Sequence, residues 1–359
     1  MIQPGKETYM SQVKEIRIDQ MPAPTWNWLR LNDHQVKFPA DGTAAAPVMD
    51  KPKGISVSGD ASGVSAVETG AGKEFDEIAS LADMIVFKNE TGAEGNDPIR
   101  LKFSFADGQN GINRYGLVVE ENSTMTVVMD FKSDADAAGY AGVQTRALVK
   151  KNGLLRLVQV HRLGDSFTCI DDIGALAEEK ARVEIIHVIF SGRETDIGCR
   201  VTLKGDNSTY DAQIGYLAEK NHRIDLNYTI PQLGKHTASN VNVVGVLRDS
   251  AFKIFRGTID FVRGSSGSTG DENENVLLMD DNVVNQSVPV ILCDEEDVEG
   301  NHGASVGKLS EDFLFYLESR GIPFEDIYEM MAKARLESVF RRIPDTQTVD
   351  ELAEYNETK

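Results

Sequence analysis

Residues 293–322 read CDEEDVEGNHGASVGKLSEDFLFYLESRGI, and this stretch joins two kinds of sequence. It begins with an acidic run over residues 294–299, continues through Asn301 to Ser305, and ends in an aromatic segment that closes at Gly321. Most of the chain before it alternates short apolar runs with turn residues, which is typical of strands. The chain after it has the three- and four-residue apolar spacing of helices. The sequence therefore predicts a β-rich body followed by a helical region.

Eleven short β-rich runs precede this joint, and Gly, Asn or Asp separates most of them. They are residues 99–105, 117–120, 125–131, 144–149, 154–161, 183–190, 199–203, 210–216, 223–229, 242–247 and 252–262. Such a succession of short strands indicates an all-β body, and two more strands are expected at 276–279 and 288–293. A sandwich, a barrel and a solenoid all agree with this pattern. Nearly continuous apolar strands with tight polar corners suit a solenoid, in which each coil buries its face on the next.

Four segments outside these runs have their own predicted structures. Apolar spacing over residues 75–87 predicts one amphipathic helix, and residues 173–181 predict a short one. The low-complexity segment 264–275 predicts a flexible surface loop. The residues after 345 are polar and predict a tail.

The two tryptophans of the chain, Trp26 and Trp28, stand beside prolines in an extended segment. Tryptophan combines a large apolar surface with one N–H donor, so the pair predicts a buried anchor that pins an N-terminal arm to the body. The predicted domain division is an N-terminal arm and cap region with one helix (1–97), a β core (98–306), a C-terminal helical domain (307–345) and a polar tail (346–359).

The helical region begins with a capped aromatic helix. Ser310 stands before Glu311 and Asp312, which indicates an N-cap followed by acids in the first turn, and Gly321 indicates the end. One face of this helix carries Leu309, Phe313, Tyr316 and Leu317.

A second helix is predicted over residues 323–341, with Ile327 and Met331 in its apolar set. Together, Phe313, Phe315 and Tyr316 offer more aromatic surface than two helices need to pack against each other. Part of this aromatic surface is therefore expected to meet a partner, and the rest to pack on the β body.

Composition excludes several classes of function. The 359-residue chain has a formal net charge of −20, which disfavours nucleic acid and anionic membrane surfaces as partners. Residues 271–299 hold ten acidic and no basic side chains, which is either a solvated edge or a surface for a basic partner. We expect a cytoplasmic protein, because the N-terminus lacks the apolar core of a secretion signal and no apolar stretch is long enough for a membrane span.

Recognisable catalytic motifs are absent from the sequence. It contains no G-x-x-x-x-G-K-[ST], no H-E-x-x-H and no G-x-S-x-G pattern. Cys169, Cys199 and Cys293 lack metal-ligand or redox spacing, so each is predicted to be a small core residue in a reducing compartment. His302, close to Glu299, is the best single candidate for a metal ligand, and the alternative is a histidine that caps a turn. His236 is expected at a surface corner.

Residues 302–322, with the acidic run before them, resemble the C-terminal signature of the SufB/SufD family of iron–sulfur cluster assembly proteins. Shorter phrases agree with this resemblance: T-W-x-x-L-x-x-N at residues 25–32, H-T-A-S at 236–239, F-R-G-T-I at 255–259 and L-L-M at 277–279. The resemblance implies a right-handed parallel β-helix core flanked by N- and C-terminal helical parts. It also implies a protein without an enzymatic activity of its own, in which a SufB-type and a SufD-type chain pair through their β-helices.

In such a complex the SufC ATPase docks on the C-terminal helices, and a cysteine desulfurase system takes part indirectly. On this chain the implied docking residues are Leu309, Phe313, Tyr316, Leu317, Ile327 and Met331. The resemblance implies no tightly bound cofactor, and at most a transient iron–sulfur cluster shared with a partner chain.

Two departures from the family pattern favour a SufD-like subunit that pairs with a SufB-type paralogue or with itself. The resemblance places a proposed SufB cluster cysteine at a position that aligns near Asn273. The SufD position that often carries a cysteine, two residues before the histidine, is Gly300, so only His302 of that cysteine–histidine pair is present. A site built on thiolates at these positions is absent, and any cluster on His302 needs ligands from another chain.

Two alternatives remain open from the sequence. One is a SufB-like scaffold that holds the nascent cluster directly, which iron and sulfide analysis after anaerobic reconstitution would reveal. The other is a β-solenoid enzyme such as a polysaccharide lyase. The missing secretion signal and the gathering of acids near one end speak against it.

Overall fold

Strands of eight to twelve residues return at regular intervals along the chain and stack in parallel. Residues that pair between neighbouring coils are 26 to 32 positions apart in the sequence. The shortest separation is that of Thr168 and Glu194, and the longest is that of Phe252 and Val284. The result is a β-solenoid of about eight turns. This computed structural model describes residues 13–93, 95, 97–190 and 192–358.

In chain order the strands are β1 (Val13–Ile18), β2 (His34–Pro39), β3 (Val48–Asp50), β4 (Ile55–Ser58), β5 (Met84–Asn89), β6 (Ile99–Phe105), β7 (Gln109–Val119), β8 (Thr124–Ser133), β9 (Ala138–Val149), β10 (Leu154–Arg162), β11 (Ser166–Ala177), β12 (Arg182–Ile189), β13 (Glu194–Leu203), β14 (Thr209–Ala218), β15 (Arg223–Gln232), β16 (Ala238–Leu247), β17 (Phe252–Phe261), β18 (Ser268–Leu278), β19 (Val284–Cys293) and β20 (Val298–Gly307). The α-helices are α1 (Lys73–Ala79), α2 (Glu311–Glu318), α3 (Phe324–Phe340) and α4 (Thr346–Thr358). Short 3₁₀ turns lie at Asn27–Leu29 and Ala61–Gly63.

Each coil gives one strand to each of two nine-stranded sheets. The odd sheet contains the odd-numbered strands from β5 to β19, with β4 at its edge; the even sheet contains the even-numbered strands from β6 to β20, with β3 at its edge. All coil strands pair in parallel, whereas β3 and β4 join their sheets antiparallel. All eleven strand runs predicted from the sequence lie within observed strands to within one residue at each end, so the β prediction is confirmed.

Both faces of the coil strands in the middle of the solenoid are covered, which explains their nearly continuous apolar sequences. In β12, Val183 and Ile185 point into the solenoid, while Ile186 and Val188 point out against other elements. Corners between coils recur in the left-handed conformation, as at Asn122, Asn152 and Asn207. Asparagine tolerates this conformation better than most residues. At two neighbouring corners the side chains also bond to each other, because Asn152 Nδ2 donates to Asn122 Oδ1 at 2.8 Å.

Helices α3 and α4 cover the outer face of the even sheet. Leu336, Val339 and Phe340 of α3 and Leu352 of α4 share an apolar cluster with outward residues of the sheet such as Val188. The prediction of a polar tail over 346–359 is wrong, because residues 346–358 form α4. Of the helices in the described part of the chain, none combines the length and apolar character that a membrane span needs.

The N-terminal hairpin β1–β2 and helix α1 cover the outer face of the odd sheet, with Ile18, Phe38 and Phe75 in their shared core. Within the predicted helix 75–87, only α1 is helical and the second half is strand β5, because that half pairs with β4 and β7. The coil strands therefore begin at Met84, earlier than the predicted core boundary at 98.

Two other local predictions are wrong. Residues 173–181 belong largely to strand β11, where Gly174 leaves room for the backbone of an overlying segment: a Cβ there would lie 2.3 Å from Glu68 O. The predicted loop 264–275 is mostly strand β18, which buries Glu272 and Glu274 inside the solenoid.

The predicted tryptophan anchor is also wrong. The Trp26 and Trp28 side chains are 71% and 74% exposed and stack on each other with ring centroids 6.0 Å apart. The residues that hold this loop are polar: Thr25 Oγ1 donates to Asn32 Oδ1 at 2.8 Å, and Asn32 Nδ2 donates to Thr25 O at 3.0 Å.

Candidate functional site

The solenoid has an open end formed by the last two strands. β19 and β20 are the outermost strands of the odd and even sheets within the described chain, and each is ten residues long. The outer backbone groups of such edge strands are available to pair with another chain. In β20 only Val298 and Gly300 are half-buried, and the other residues are exposed. We call this region, β19 and β20 with the neighbouring helix α2, the open end.

His302 lies in β20 as the register partner of Glu272 in β18. Partners in a parallel ladder point to the same side of a sheet. Glu272 points inward, because a Cβ on Gly257 of the odd sheet would meet Glu272 Oε2 at 1.8 Å. His302 therefore faces the interior side of the last coil, where none of the described residues buries it and its side chain is exposed.

A buried polar cluster of Lys253, Glu272 and Glu274 lies beneath this position. Lys253 Nζ forms an ion pair with Glu274 Oε1, and all three residues are at most 5% exposed. Burial, followed by the nearby Glu274 carboxylate, raises the pKa of Glu272 to about 7. One carboxyl of the interior thus exchanges its proton close to neutral pH.

Within the described residues, His302 belongs to no group of three ligating side chains close enough to hold one metal ion. A metal or cluster on His302 therefore needs ligands from elsewhere, and its ligand role stays a prediction. Cys293 ends β19 and is exposed, so its predicted place in the core is wrong: within the described residues β19 is the outermost strand of its sheet. The predicted core positions of Cys169 and Cys199 are confirmed, as is the exposed corner position of His236.

Helix α2 begins and ends where the sequence predicts. Ser310 is its N-cap and accepts a hydrogen bond from Phe313 N at 3.4 Å, and Gly321 follows the helix with a φ of 85°. None of its residues is buried. Phe313, Phe315 and Tyr316 are 41%, 73% and 51% exposed, and we call these three side chains the aromatic patch.

The other predicted docking residues lie deeper. Leu309 and Met331 are half-buried against the apolar cluster between the helices and the even sheet, and Leu317 is also half-buried. Ile327 is fully buried, so it supports a surface only by packing beneath it. The partner-binding role of the set stays a prediction.

Sequence reasoning did not find a polar network inside the solenoid. Gln159 connects Asp171 to His187, with 3.0 Å from Gln159 Nε2 to Asp171 Oδ1 and 2.9 Å from Gln159 Oε1 to His187 Nε2. Tyr228 Oη bonds to His187 Nδ1. Burial lowers the pKa of His187 well below its usual value, so the imidazole is neutral. No spacing rule predicts this contact, because the four residues come from four different strands.

A family model described as "SUF system FeS cluster assembly, SufBD core domain" matches residues 103–335. The chain belongs to the SufBD family. The match runs from β6 into α3, so it contains β20, α2 and most of the solenoid.

Among relatives of this SufBD chain is the iron–sulfur cluster assembly protein SufD of Bacillus subtilis, 24% identical over 234 residues, which are 65% of this chain and 54% of the relative. The SufB protein of the same organism is 25% identical over 210 residues, 56% of this chain and 44% of the relative. A SufBD family protein of Mycobacterium bovis is 25% identical over 238 residues, 64% of this chain and 26% of the relative. The chain thus spans about half or less of the length of these relatives.

In this SufBD chain, the two positions that the sequence analysis associated with cysteine lie on neighbouring strands. Asn273 is exposed in β18, and Gly300 is half-buried in β20. A Cβ on Gly300 would lie 2.9 Å from Phe261 Cε2 and 3.2 Å from Ile291 Cδ1. A cysteine at position 300 would therefore require these side chains to move.

Proposed function

We propose that this chain is a SufD-like, non-catalytic subunit of an iron–sulfur cluster assembly complex in the cytoplasm. It pairs through its open end with a SufB-type paralogue or a second copy, and it docks a SufC-type ATPase on helix α2. A cysteine desulfurase system contributes sulfur to the complex without binding this chain. The observation that carries the proposal is the aromatic patch on a helix with no buried residue, inside the segment that matches the family.

The patch is suited to docking because its helix is fixed at its start while none of its residues is buried. The Ser310 cap fixes the start, and Leu309 packs beside it against the apolar cluster. Aromatic side chains left exposed in this way are typical of binding hot spots, in which a few residues supply most of the affinity. Arg320 lies over the Tyr316 ring, 4.9 Å from its centroid, and adds one positive charge to the surface.

The open end supports the pairing half of the proposal. Two ten-residue edge strands offer rows of backbone donors and acceptors that another β-solenoid end can satisfy. Residues 273 and 300 offer no thiolate, and the exposed Cys293 belongs to no group of three ligating side chains within the described residues, so a cluster at this junction would take ligands from the partner, with His302 as the contribution of this chain. The three cysteines are free, which agrees with a reducing cytoplasm.

Co-purification tests the docking half. The chain is co-expressed with the SufC-type ATPase and the SufB-type paralogue of its own genome, as wild type and as the double variant Phe315→Asp/Tyr316→Asp. We expect the wild type to retain the ATPase and the double variant to lose at least about 30-fold in affinity for it, as hot-spot truncations do. Trp28→Asp is a matched control, because Trp28 is an equally exposed aromatic residue far along the chain from α2.

Circular dichroism and thermal unfolding of each variant exclude misfolding as the cause of a loss. The docking proposal is overturned if the folded wild type recovers no ATPase, or if the double variant binds it as well as the control does.

A scaffold that holds the cluster directly is the second candidate, and the similarity to a SufB protein at 25% identity favours it. Anaerobic reconstitution with iron and sulfide separates the two. A stable cluster on the isolated chain, lost in His302→Ala, supports the scaffold. Cluster formation only after addition of the SufB-type chain supports the SufD-like role.

A further inference from the structure

A group of acidic side chains lies buried between the N-terminal hairpin and the odd sheet, away from the open end. Asp196 in β13 and Asp225 in β15 are register partners on the outer face of the sheet, and Asp19 comes directly after β1. All three carboxylates are 0% exposed. Like charges that face each other in a ladder destabilise a sheet unless another group compensates them.

The ligating atoms of this group are close enough to hold one ion. One oxygen from each of Asp19, Asp196 and Asp225 lies within 4.8 Å of the others. Asp196 is also shared with a neighbouring group, in which His34 Nε2 lies 2.9 Å from Glu194 Oε1 and 3.7 Å from Asp196 Oδ1.

Two arginines compensate only part of the negative charge. Arg256 Nη1 pairs with Asp225 Oδ1, and its other nitrogens donate to backbone oxygens of the hairpin. Arg223 lies 3.3 Å from Asp225 Oδ2 and 3.5 Å from Glu194 Oε1. Asp225 and Glu194 therefore have cationic partners.

Among the described residues no salt bridge reaches Asp19, and the one nearest to Asp196 is the 3.7 Å contact of its Oδ1 with His34 Nε2. Both oxygens of Asp19 and both oxygens of Asp196 are buried without a hydrogen-bond partner. A buried carboxylate in this state costs several kcal/mol, so such groups are found paired, protonated or bound to metal ions. Two buried carboxylates without hydrogen-bond partners, beside a third carboxylate, match the charge and the ligand preference of one divalent cation.

We propose that Asp19, Asp196 and Asp225 bind a divalent cation of the oxygen-preferring class, Mg²⁺, Ca²⁺ or Mn²⁺. Carboxylate oxygens are the preferred ligands of these ions. His34, held by Glu194, borders the site on the side of Asp196. The ion links the N-terminal hairpin, through Asp19, to two successive coils, through Asp196 and Asp225, and so fastens the hairpin to the solenoid. This proposal does not depend on the function proposed above.

The alternative is that Asp19 and Asp196 are protonated and bind no ion. Burial raises the pKa of both groups well above the usual value, and neighbouring carboxylates add to the effect. The two states differ in their response to a metal and to an amide substitution, because asparagine resembles a protonated aspartic acid but is a poor ligand for a divalent cation.

Manganese alone is the probe. The full chain is stripped with a chelator and titrated with Mn²⁺ at physiological ionic strength, and free Mn²⁺ is followed by electron paramagnetic resonance. We expect one tight site per chain and a rise in the unfolding temperature on binding. Asp19→Asn and Asp196→Asn should each weaken binding by at least about tenfold. Asp281→Asn, which alters a carboxylate with an 86% exposed side chain, should leave it unchanged.

Mn²⁺ that binds equally to wild type, Asp19→Asn and Asp281→Asn is surface binding to an acidic protein and overturns the proposal. The proposal is also overturned if no tight site is found and the Asn variants are at least as stable as the wild type, because that result indicates that Asp19 and Asp196 are protonated. If an Asn variant does not fold, the wild type decides: an unfolding temperature that does not respond to Mn²⁺ overturns the proposal. Displacement of Mn²⁺ by Ca²⁺ or Mg²⁺ supports the oxygen-preferring class, and displacement by Zn²⁺ alone overturns it.

Discussion

His302 stands beside Glu272 in the ladder that joins the last two strands of the even sheet. The histidine is exposed at the open end, whereas the carboxyl is buried one coil deeper with Glu274 as its neighbour. The candidate ligand of the open end thus lies next to a carboxyl group whose protonation changes near neutral pH.

The first prediction is a pH dependence of stability that Glu272 causes. The pKa of Glu272 is raised from 4.5 to about 7 in the folded chain, so the folded state keeps this proton after the unfolded state has lost it. The stabilisation is complete below pH 4.5 and is lost as the pH rises through about 7. The loss is on the order of 3 kcal/mol.

Urea unfolding of Glu272→Gln between pH 5 and pH 8 measures this contribution. We expect the variant to gain stability over the wild type as the pH rises. Glu299→Gln, an exposed acid of β20, serves as the control. Parallel pH profiles of wild type and Glu272→Gln would show that Glu272 does not titrate in this range.

The second prediction concerns the close contact of Gly245 with Tyr216. A Cβ on residue 245 would lie 1.9 Å from Tyr216 Cζ, and the tyrosine is fully buried. We expect Gly245→Ala to lower the free energy of unfolding by about 3 kcal/mol, because an overpacked core cannot relax around a rigid ring.

Gly307→Ala is the matched control, since a Cβ there meets no atom within 4 Å. Combining Gly245→Ala with Tyr216→Leu should recover part of the loss, because the smaller side chain leaves room for the methyl group. If the losses in free energy of unfolding simply add in the double variant, the strain does not arise from the contact of residue 245 with Tyr216.

The third prediction tests how α4 is held. Leu352 is 1% exposed in the cluster between α4 and the even sheet. Replacing it with alanine should cost about 2–5 kcal/mol in the docking of α4, and hydrogen exchange over residues 346–358 should accelerate. Glu354→Ala, on the exposed side of the same helix, should leave exchange unchanged. Equal protection of α4 in both variants would mean that Leu352 does not anchor the helix.

The fourth prediction concerns the cap of α2. Ser310→Ala removes the acceptor for Phe313 N and should destabilise the helix by about 1 kcal/mol. Because no residue of α2 is buried, packing does not mask the loss, and its amides should exchange about fivefold faster. Ser310→Asp should restore protection, whereas Ser319→Ala, at the other end, should have a smaller effect. Unchanged exchange in Ser310→Ala would show that the cap does not control α2.

The strands were predictable because their signal is local. Val183 to Ile189 needs only its own apolar run to be recognised as a strand, and Ser310 with Gly321 needs only local capping rules. The choice of a solenoid over a sandwich or a barrel rested on the family resemblance, since coils of 26 to 32 residues share no crisp repeat.

The wrong predictions have a common physical origin in contacts that are distant in sequence. Glu272 and Glu274 look like solvent-exposed loop residues until Lys253 of another strand pairs with Glu274 in the interior. Helix α4 looks like a tail because its sequence is mostly polar, and its few apolar residues, Val349, Leu352 and Tyr355, find their partners in a cluster formed with distant strands. Asp19 and Asp196 meet only after the hairpin folds over the odd sheet, so no spacing motif connects them.

The two ends of the solenoid are built differently, and this bears on the proposed pairing through the open end. At the open end, β19 and β20 offer ten residues each in the coil direction, whereas at the other end β3 and β4 offer three and four residues in the reverse direction. Short, reversed edge strands give an incoming strand few groups to pair with. In the proposed pairing of two open ends, only these short, reversed edge strands would remain outside, so assembly through the solenoid would stop at a closed pair rather than continue into a fibre.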